Sequence, residues 1–280
     1  ATSGAEVAGP GFAGFLIKVF GAPWAMSVNA VLLIGSAWIL RGVQVDEQRK
    51  ADPDANFWRD LMVGLRFVAG TRLLVTLAVL MAVWQMCHYA ALVVQILVAT
   101  RTLGLSEQAV GLCYMGMGVG TITGSVWGRR ISHRIGPGPC LVVGYAITGT
   151  GWLLPALSPA NALGVVAFAL MMAAFTMGAV FIFINFLALR QAVTPEPLLG
   201  RMTSTMRWLT LLVAPAGSLL GGWVGEHIGL RPALGLAGGL SLLLAAVAWR
   251  LPLVRNLKQL PRPQPQPGLD EVESEWTALR

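Results

Sequence analysis

Four polar side chains interrupt the apolar run at 73–99: Gln85, His88, Tyr89 and Gln95. On a helix turning about 100° per residue they fall within about 120° of one another and form one stripe. The chemistry on offer is hydrogen bonding from two amides and a phenol, with proton exchange at His88, whose ordinary pKa lies near neutrality. A hydrogen-bonded structural histidine is the alternative. Glu6 is a second proton-coupling candidate, the one carboxylate well inside the run at 2–21, a turn before Pro10. The runs hold no H-E-x-x-H and no paired aspartates, so no catalytic residue and no metal site is expected, and the chain does not read as an enzyme. Cys87, Cys113 and Cys140 lie in apolar runs without ligand spacing, and no cofactor is implied.

The elements that must carry these groups follow from composition. Of 280 residues, 55% are apolar and 12% charged, against roughly 25% charged in a soluble domain. This excludes a water-soluble globule and predicts an all-α, multi-pass membrane protein. Eight runs are long enough to be read as spans: A at 2–21, B at 24–40, C at 73–99, D at 107–127, E at 138–157, F at 161–189, G at 203–226 and H at 232–249. Gly21-Ala22-Pro23-Trp24 makes A and B a hairpin. Of the 20 Lys and Arg, only Arg101 and Arg231 fall on one side of the membrane and Lys18 lies within span A. All the others fall after B, D, F and H or at the chain's end, which predicts both ends cytoplasmic in a plasma (inner) membrane. Topology thus accounts for the net charge of +7, and no nucleic-acid role is expected. The bilayer is the partner.

The insert at 42–71 begins as a charged loop. Phe57, Trp58, Leu61, Met62, Leu65 and Val68 then fall on one helical face, predicting an amphipathic helix that lies on the cytoplasmic membrane surface or packs against the bundle end. The tail, with PRPQPQPG at 261–268 and an acidic end, predicts disorder. Ala1 opens the chain without a Met, which suggests that an amino-terminal part of a longer protein precedes it.

Glycines recur every fourth residue in two spans: Gly116, Gly120, Gly124 and Gly128 in D, and Gly217, Gly221, Gly225 and Gly229 in G. Such columns permit close helix packing in lipid. D and G are the middle members of C-D-E and F-G-H and cross in opposite directions, which points to an inverted three-plus-three repeat. The columns either hold a static bundle or form a moving interface.

Three segments resemble the major facilitator superfamily. AGPGFAG in span A, with Gly9, Pro10 and Gly14, is similar to the Gly-Pro motif of the family's antiporters. GRRISHRIGPGP at 128–139 resembles the second copy of its cytoplasmic loop motif, G-x-L-A-D-R-x-G-R-R. Arg134 and Gly136 fit, whereas Arg129 replaces the first Gly, His133 the Asp and Pro137 an Arg, and Arg130 takes an unspecified position. RQAVTPEPLLGRM at 190–202 looks like the branch containing the enterobactin exporter and macrolide efflux proteins.

The resemblance implies that the chain corresponds to helices five to twelve of a twelve-helix fold, lacking the first four. Residues 1–41 would be the last two helices of the first half, 42–71 the central loop, 72–250 the six-helix second half and 251–280 the tail. It further implies that span A faces the glycine column of D across the two halves, and that spans C and F line a central cavity. On that basis Gln85, His88, Tyr89 and Asn185 are the expected cavity residues. Trp84 and Phe181 are candidate aromatic contacts, for which core or lipid packing is the alternative. The function implied is proton-coupled efflux of small amphipathic, drug-like or siderophore-like compounds by alternating access. Proton-coupled uptake and a non-transporting scaffold of the same fold are the alternatives. Substrate identity and oligomeric state are not legible.

Overall fold

Helix starts follow from the residues flanking each apolar run. Ser106 accepts a hydrogen bond from the Ala109 N–H at 3.3 Å and Asn161 accepts one from Leu163 at 2.9 Å, each satisfying a donor that a first helical turn leaves open. Pro137 and Pro215 stand in first turns, where a missing N–H costs nothing. Gly136 and Gly229, at φ of 94° and 130°, turn the chain in conformations that side chains disfavour.

The computed structural model describes residues 22–42, 57–195 and 198–261. Its helices are α1 (Ala22–Arg41), α2 (Phe57–Gly70), α3 (Arg72–Leu97), α4 (Glu107–Ile135), α5 (Pro137–Leu157), α6 (Ala162–Ala192), α7 (Leu199–Leu211), α8 (Ala214–His227), α9 (Leu230–Arg250) and α10 (Pro252–Arg255). Among the described residues, six stretches are long and apolar enough to cross a membrane: α3 with a π-helical turn over Val98–Thr102, α4, α5, α6, α7 with α8, and α9. They correspond to spans C to H. Span A, with Glu6, Gly9, Pro10 and Gly14, lies outside the described residues, as do 43–56, Glu196 and the chain from 262 onward. Span B forms α1, whose described apolar stretch, Ala30–Ile39, is shorter than the ~20 residues of a crossing.

Three expectations are corrected, and for the helix in the insert the packed alternative is the one seen. Span D does not stop at 127: α4 runs on to Ile135, because nothing in Arg129–His133 breaks a helix before Gly136 and Pro137, so the loop-like motif is mostly helical. Span G is broken at Leu212–Val213, where the Pro215 ring would clash with the carbonyl a turn earlier. The apolar face of α2 splits: Gly64, Phe67 and Val68 are buried against α7 and α3, while Met62 and Leu65 are exposed. Residues 251–261, read as the start of a disordered tail, form α10 and a strap across the start of α5, with buried Val254 as its anchor.

The same pairs of helices pack when the two triplets are exchanged, though to different extents. The α3–α8 contact maps onto α6–α4, α3–α9 onto α6–α5, and α5–α9 onto itself. Register matches as well. A Cβ added at Gly217 or Gly221 would strike the carbonyl of Met86 or Ala90, four residues apart on α3, and one at Gly116 or Gly120 would strike that of Ala169 or Ala173, four apart on α6. At the self-mapped crossing, a Cβ on Gly149 would lie 2.9 Å from the Gly238 oxygen, and one on Gly238 2.8 Å from that of Gly149. The D column therefore packs within its own six-span unit, against α6, and is not free to be the face that meets span A. The open faces of the unit belong to α4 and α7–α8, the least buried of the six spans.

The strap makes a testable contact. The Gly138 N–H donates to the Leu257 oxygen at 3.1 Å, and a Cβ on Gly136 would run into the Lys258 backbone. Gly136→Ala adds that collision to a positive φ, so it should cost about 2–3 kcal/mol of stability. Gly239→Ala, which meets nothing within 4 Å, is the matched control. Equal thermal midpoints for the two variants would refute the contact.

Candidate functional site

The polar stripe lies midway along α3, where the two buried clusters of the six-span unit meet. Trp84 belongs to one cluster and Trp152 to the other, and Phe175 of α6 packs against both. His88 sits among these rings. Its imidazole stacks on Phe175 with centroids 4.7 Å apart and planes 11° from parallel, on Trp84 at 5.7 Å and 12°, and on Trp152 at 6.4 Å and 19°. Tyr89 leans against it at 5.3 Å and 51°, and Phe183 meets the edge of Trp84 at 5.8 Å. Offset, near-parallel rings at these separations attract through their quadrupoles as well as through buried area.

Gln85, His88 and Tyr89 are half-buried, and among the described residues nothing hydrogen-bonds to their side chains. Unpaired polar groups in a membrane-spanning unit are costly unless they meet water or a guest. Trp84 differs. It is buried, and its indole N–H donates to the Thr148 hydroxyl of α5 at 3.0 Å.

The structure separates the other expected residues from this cluster. Gln95 donates to the Tyr114 hydroxyl at 3.1 Å, tying α3 to α4. Asn185 and Phe181 lie about 15 Å and about 9 Å further along α6 than Phe175, at about 1.5 Å per residue. Both are buried, so neither opens to a cavity among the described residues. Asn185 donates to the Phe181 oxygen at 2.7 Å and accepts from the Ser132 hydroxyl at 2.6 Å, joining α6 to α4. Phe181 covers Gly128, its ring 3.0 Å from where a Cβ would stand. Asn185→Ala should therefore cost about 1–3 kcal/mol in detergent unfolding, because Ser132 loses its buried acceptor. Unchanged stability would remove the α4–α6 link.

Sequence reasoning missed Phe175, Trp152, Thr148 and Ser241. Phe175 and Trp152 sit in apolar helices where a ring carries no polar signal. The hydroxyls of Thr148 and Ser241 gain meaning only from partners on other helices. Of the loop-motif residues, Arg129, Arg130 and Arg134 are exposed and Gly136 is buried under the strap. Arg130 stands 5.8 Å over the Trp127 ring. Within the described spans no carboxylate lies between the helix ends: Glu107 begins α4 and Glu226 falls in the last turn of α8. The site can thus stack a planar ring, hydrogen-bond it through Gln85 and Tyr89, and exchange a proton at His88.

Among curated proteins none matches the chain. The family model of the Major Facilitator Superfamily matches residues 1–204 and, overlapping, 86–280, which together take in the whole sequence. With six apolar crossing helices whose two triplets pack in the same pairs, and with this match, the chain belongs to the major facilitator superfamily, a family of multi-pass membrane transporters.

Proposed function

We propose that the protein exports a small amphipathic compound carrying a planar aromatic part, in exchange for protons, by alternating access. One observation carries this reading: His88 stacks on Phe175 at the junction of α3 and α6 with no hydrogen-bond partner among the described residues, beside Gln85 and Tyr89 in the same condition. A stack open on its half-buried side accepts a flat apolar guest, and the amide and phenol orient its polar groups. A sugar would require denser hydrogen bonding than these side chains offer.

The proton enters the scheme at the same place. A neutral imidazole stacks on rings and on a flat guest alike. A protonated one gains cation–π attraction from Phe175 and Trp84 but still requires water or an anion, and the described spans supply no carboxylate within them. Proton and guest therefore favour different environments for one side chain, and a rocking six-helix unit could exchange one for the other across the membrane. Glu6, before the Gly9-Pro10-Gly14 segment, is the second proton-carrying candidate.

In this reading residues 72–250 form the second half of the transporter, 1–41 the end of the first half, and 42–71 the connection between them. The Arg-rich end faces the cytoplasm. The exporter-like segment at 190–202 and the span A motif support efflux over uptake.

Reconstitution in vesicles with a trapped pH-sensitive dye tests the proposal. Ethidium and a catecholate siderophore, added in turn, should release protons for at least one of the two, with movement of the compound against the proton flux, and erythromycin, which has no planar ring, should release none. Proton-independent binding without movement would favour a scaffold, and co-movement with protons would favour uptake.

A further inference from the structure

Behind the ring stack lies a buried polar ladder that no functional assignment yet includes. Thr148 of α5 and Ser241 of α9 are fully buried, and both hydroxyls donate to the same acceptor, the Tyr145 carbonyl, at 3.0 and 2.9 Å. With its proton committed there, the Thr148 oxygen presents a lone pair to the indole N–H of Trp84. The Ser241 oxygen closes the ladder 3.3 Å from that of Thr148. An indole nitrogen can only donate, so this hydroxyl satisfies the one polar group Trp84 has.

The ladder fixes the ring plane. Trp84 lies within 12° of His88 and 7° of Phe175, and a rotation that broke its hydrogen bond would tilt it against both. It is also tied to the α5–α9 crossing: Thr148 is next to Gly149, and Ser241 lies one turn from Gly238, the glycines where each carbonyl oxygen would meet a Cβ added to the other. Phe183, half-exposed, meets Trp84 edge-on.

The geometry points to Thr148 and Ser241 as positioning residues: without touching a guest, they set the Trp84–His88–Phe175 stack from behind and link its alignment to the α5–α9 crossing. This rests on the His88 face being the substrate face. It adds two residues that stand behind that face, with a stated order of effect. Thr148, which bonds Trp84 directly, matters more than Ser241, which holds Thr148 in register.

The test uses the full chain in lipid nanodiscs and in vesicles. The indole 15N–1H resonance of Trp84, identified by its loss in Trp84→Phe, is followed with the ring resonances of His88. Thr148→Val keeps the side-chain shape and removes the hydroxyl, so it should move the indole resonance upfield and shift the His88 ring signals. Thr148→Ser should leave both near their starting positions, and Ser241→Ala should give a smaller displacement in the same direction. In ethidium transport, Thr148→Val should raise KM about 3- to 10-fold, the worth of one buried hydrogen bond, with Vmax within about twofold, and Thr148→Ser should restore it.

An unmoved indole signal, or a moved one without response from His88, overturns the proposal. So does a loss in Thr148→Val that Thr148→Ser shares, since that marks a packing role alone. If Gln85→Ala raises KM while Thr148→Val does not, the positioning role fails and the substrate face stands. If His88 and Gln85 variants leave transport unaltered while the resonances respond, it is the substrate face that fails, and positioning for transport falls with it.

Discussion

Gly120→Ala and Gly221→Ala should each lower unfolding stability by about 2–4 kcal/mol, and by similar amounts, although they lie on different spans and add only a methyl group. The cause is backbone approach. A Cβ at Gly120 would strike the Ala173 carbonyl and the Thr176 hydroxyl and lie 2.8 Å from the Ala173 carbonyl carbon, and one at Gly221 would strike the Ala90 carbonyl and lie 2.6 Å from the Ala90 Cα. A flexible side chain yields to a methyl, whereas a helix backbone must move away as a unit and takes its packing with it. Similar penalties follow because each added methyl meets helix backbone less than 3 Å away. Gly239→Ala, in open space on α9, should be neutral or stabilise by up to about 1 kcal/mol through helix propensity. Midpoints of thermal unfolding in detergent, read on the full chain, decide it. If Gly120→Ala behaves like Gly239→Ala, the close α4–α6 crossing is wrong, and if Gly221→Ala does, the close α3–α8 crossing is wrong.

Those columns also show how far the sequence could be read. Their period of four lies along one helix and is visible without coordinates, as are the six apolar runs. What a column faces depends on how six helices are arranged, and α6 takes the place against D where span A had been expected. The partners of Asn185 were illegible for a related reason. A lone amide in an apolar helix announces only that it requires partners, and one of them, Ser132, is 53 residues away on α4. Span G reads as continuous because Leu212 and Val213 are as apolar as the residues around them, while the break comes from the stereochemistry of Pro215, which hydropathy does not register. The stripe of α3 was legible in part. Gln85, His88 and Tyr89 were marked by polarity in an apolar run, whereas Phe175 and Trp152, which give His88 its surroundings, have nothing in their own helices to distinguish them from lipid-facing rings.

His88→Phe should separate guest binding from proton coupling. Phenylalanine preserves a flat ring against Phe175 and Trp84 but has no site for a proton. The variant should therefore bind and exchange the guest with KM within about threefold of wild type, since ring pairing contributes about 0.5–1.5 kcal/mol and is largely retained. Accumulation driven by a pH gradient should fall at least about tenfold, toward the level of downhill exchange, because no other titratable imidazole lies deep in the described spans. Phe175→Ala should do the reverse. Removing the ring closest to His88 should weaken guest binding, at a cost of about 0.5–1.5 kcal/mol for the lost ring pair, while leaving the imidazole able to take up a proton. Counterflow of labelled guest and pH-driven accumulation, measured in the same vesicles, distinguish the two. Should His88→Phe drive accumulation as the wild type does, the proton must travel by another group, Glu6 in span A being the one to replace next. A parallel loss of counterflow and coupling in His88→Phe, with Phe175→Ala unaffected, would instead make the ring stack structural and move the guest elsewhere on α3.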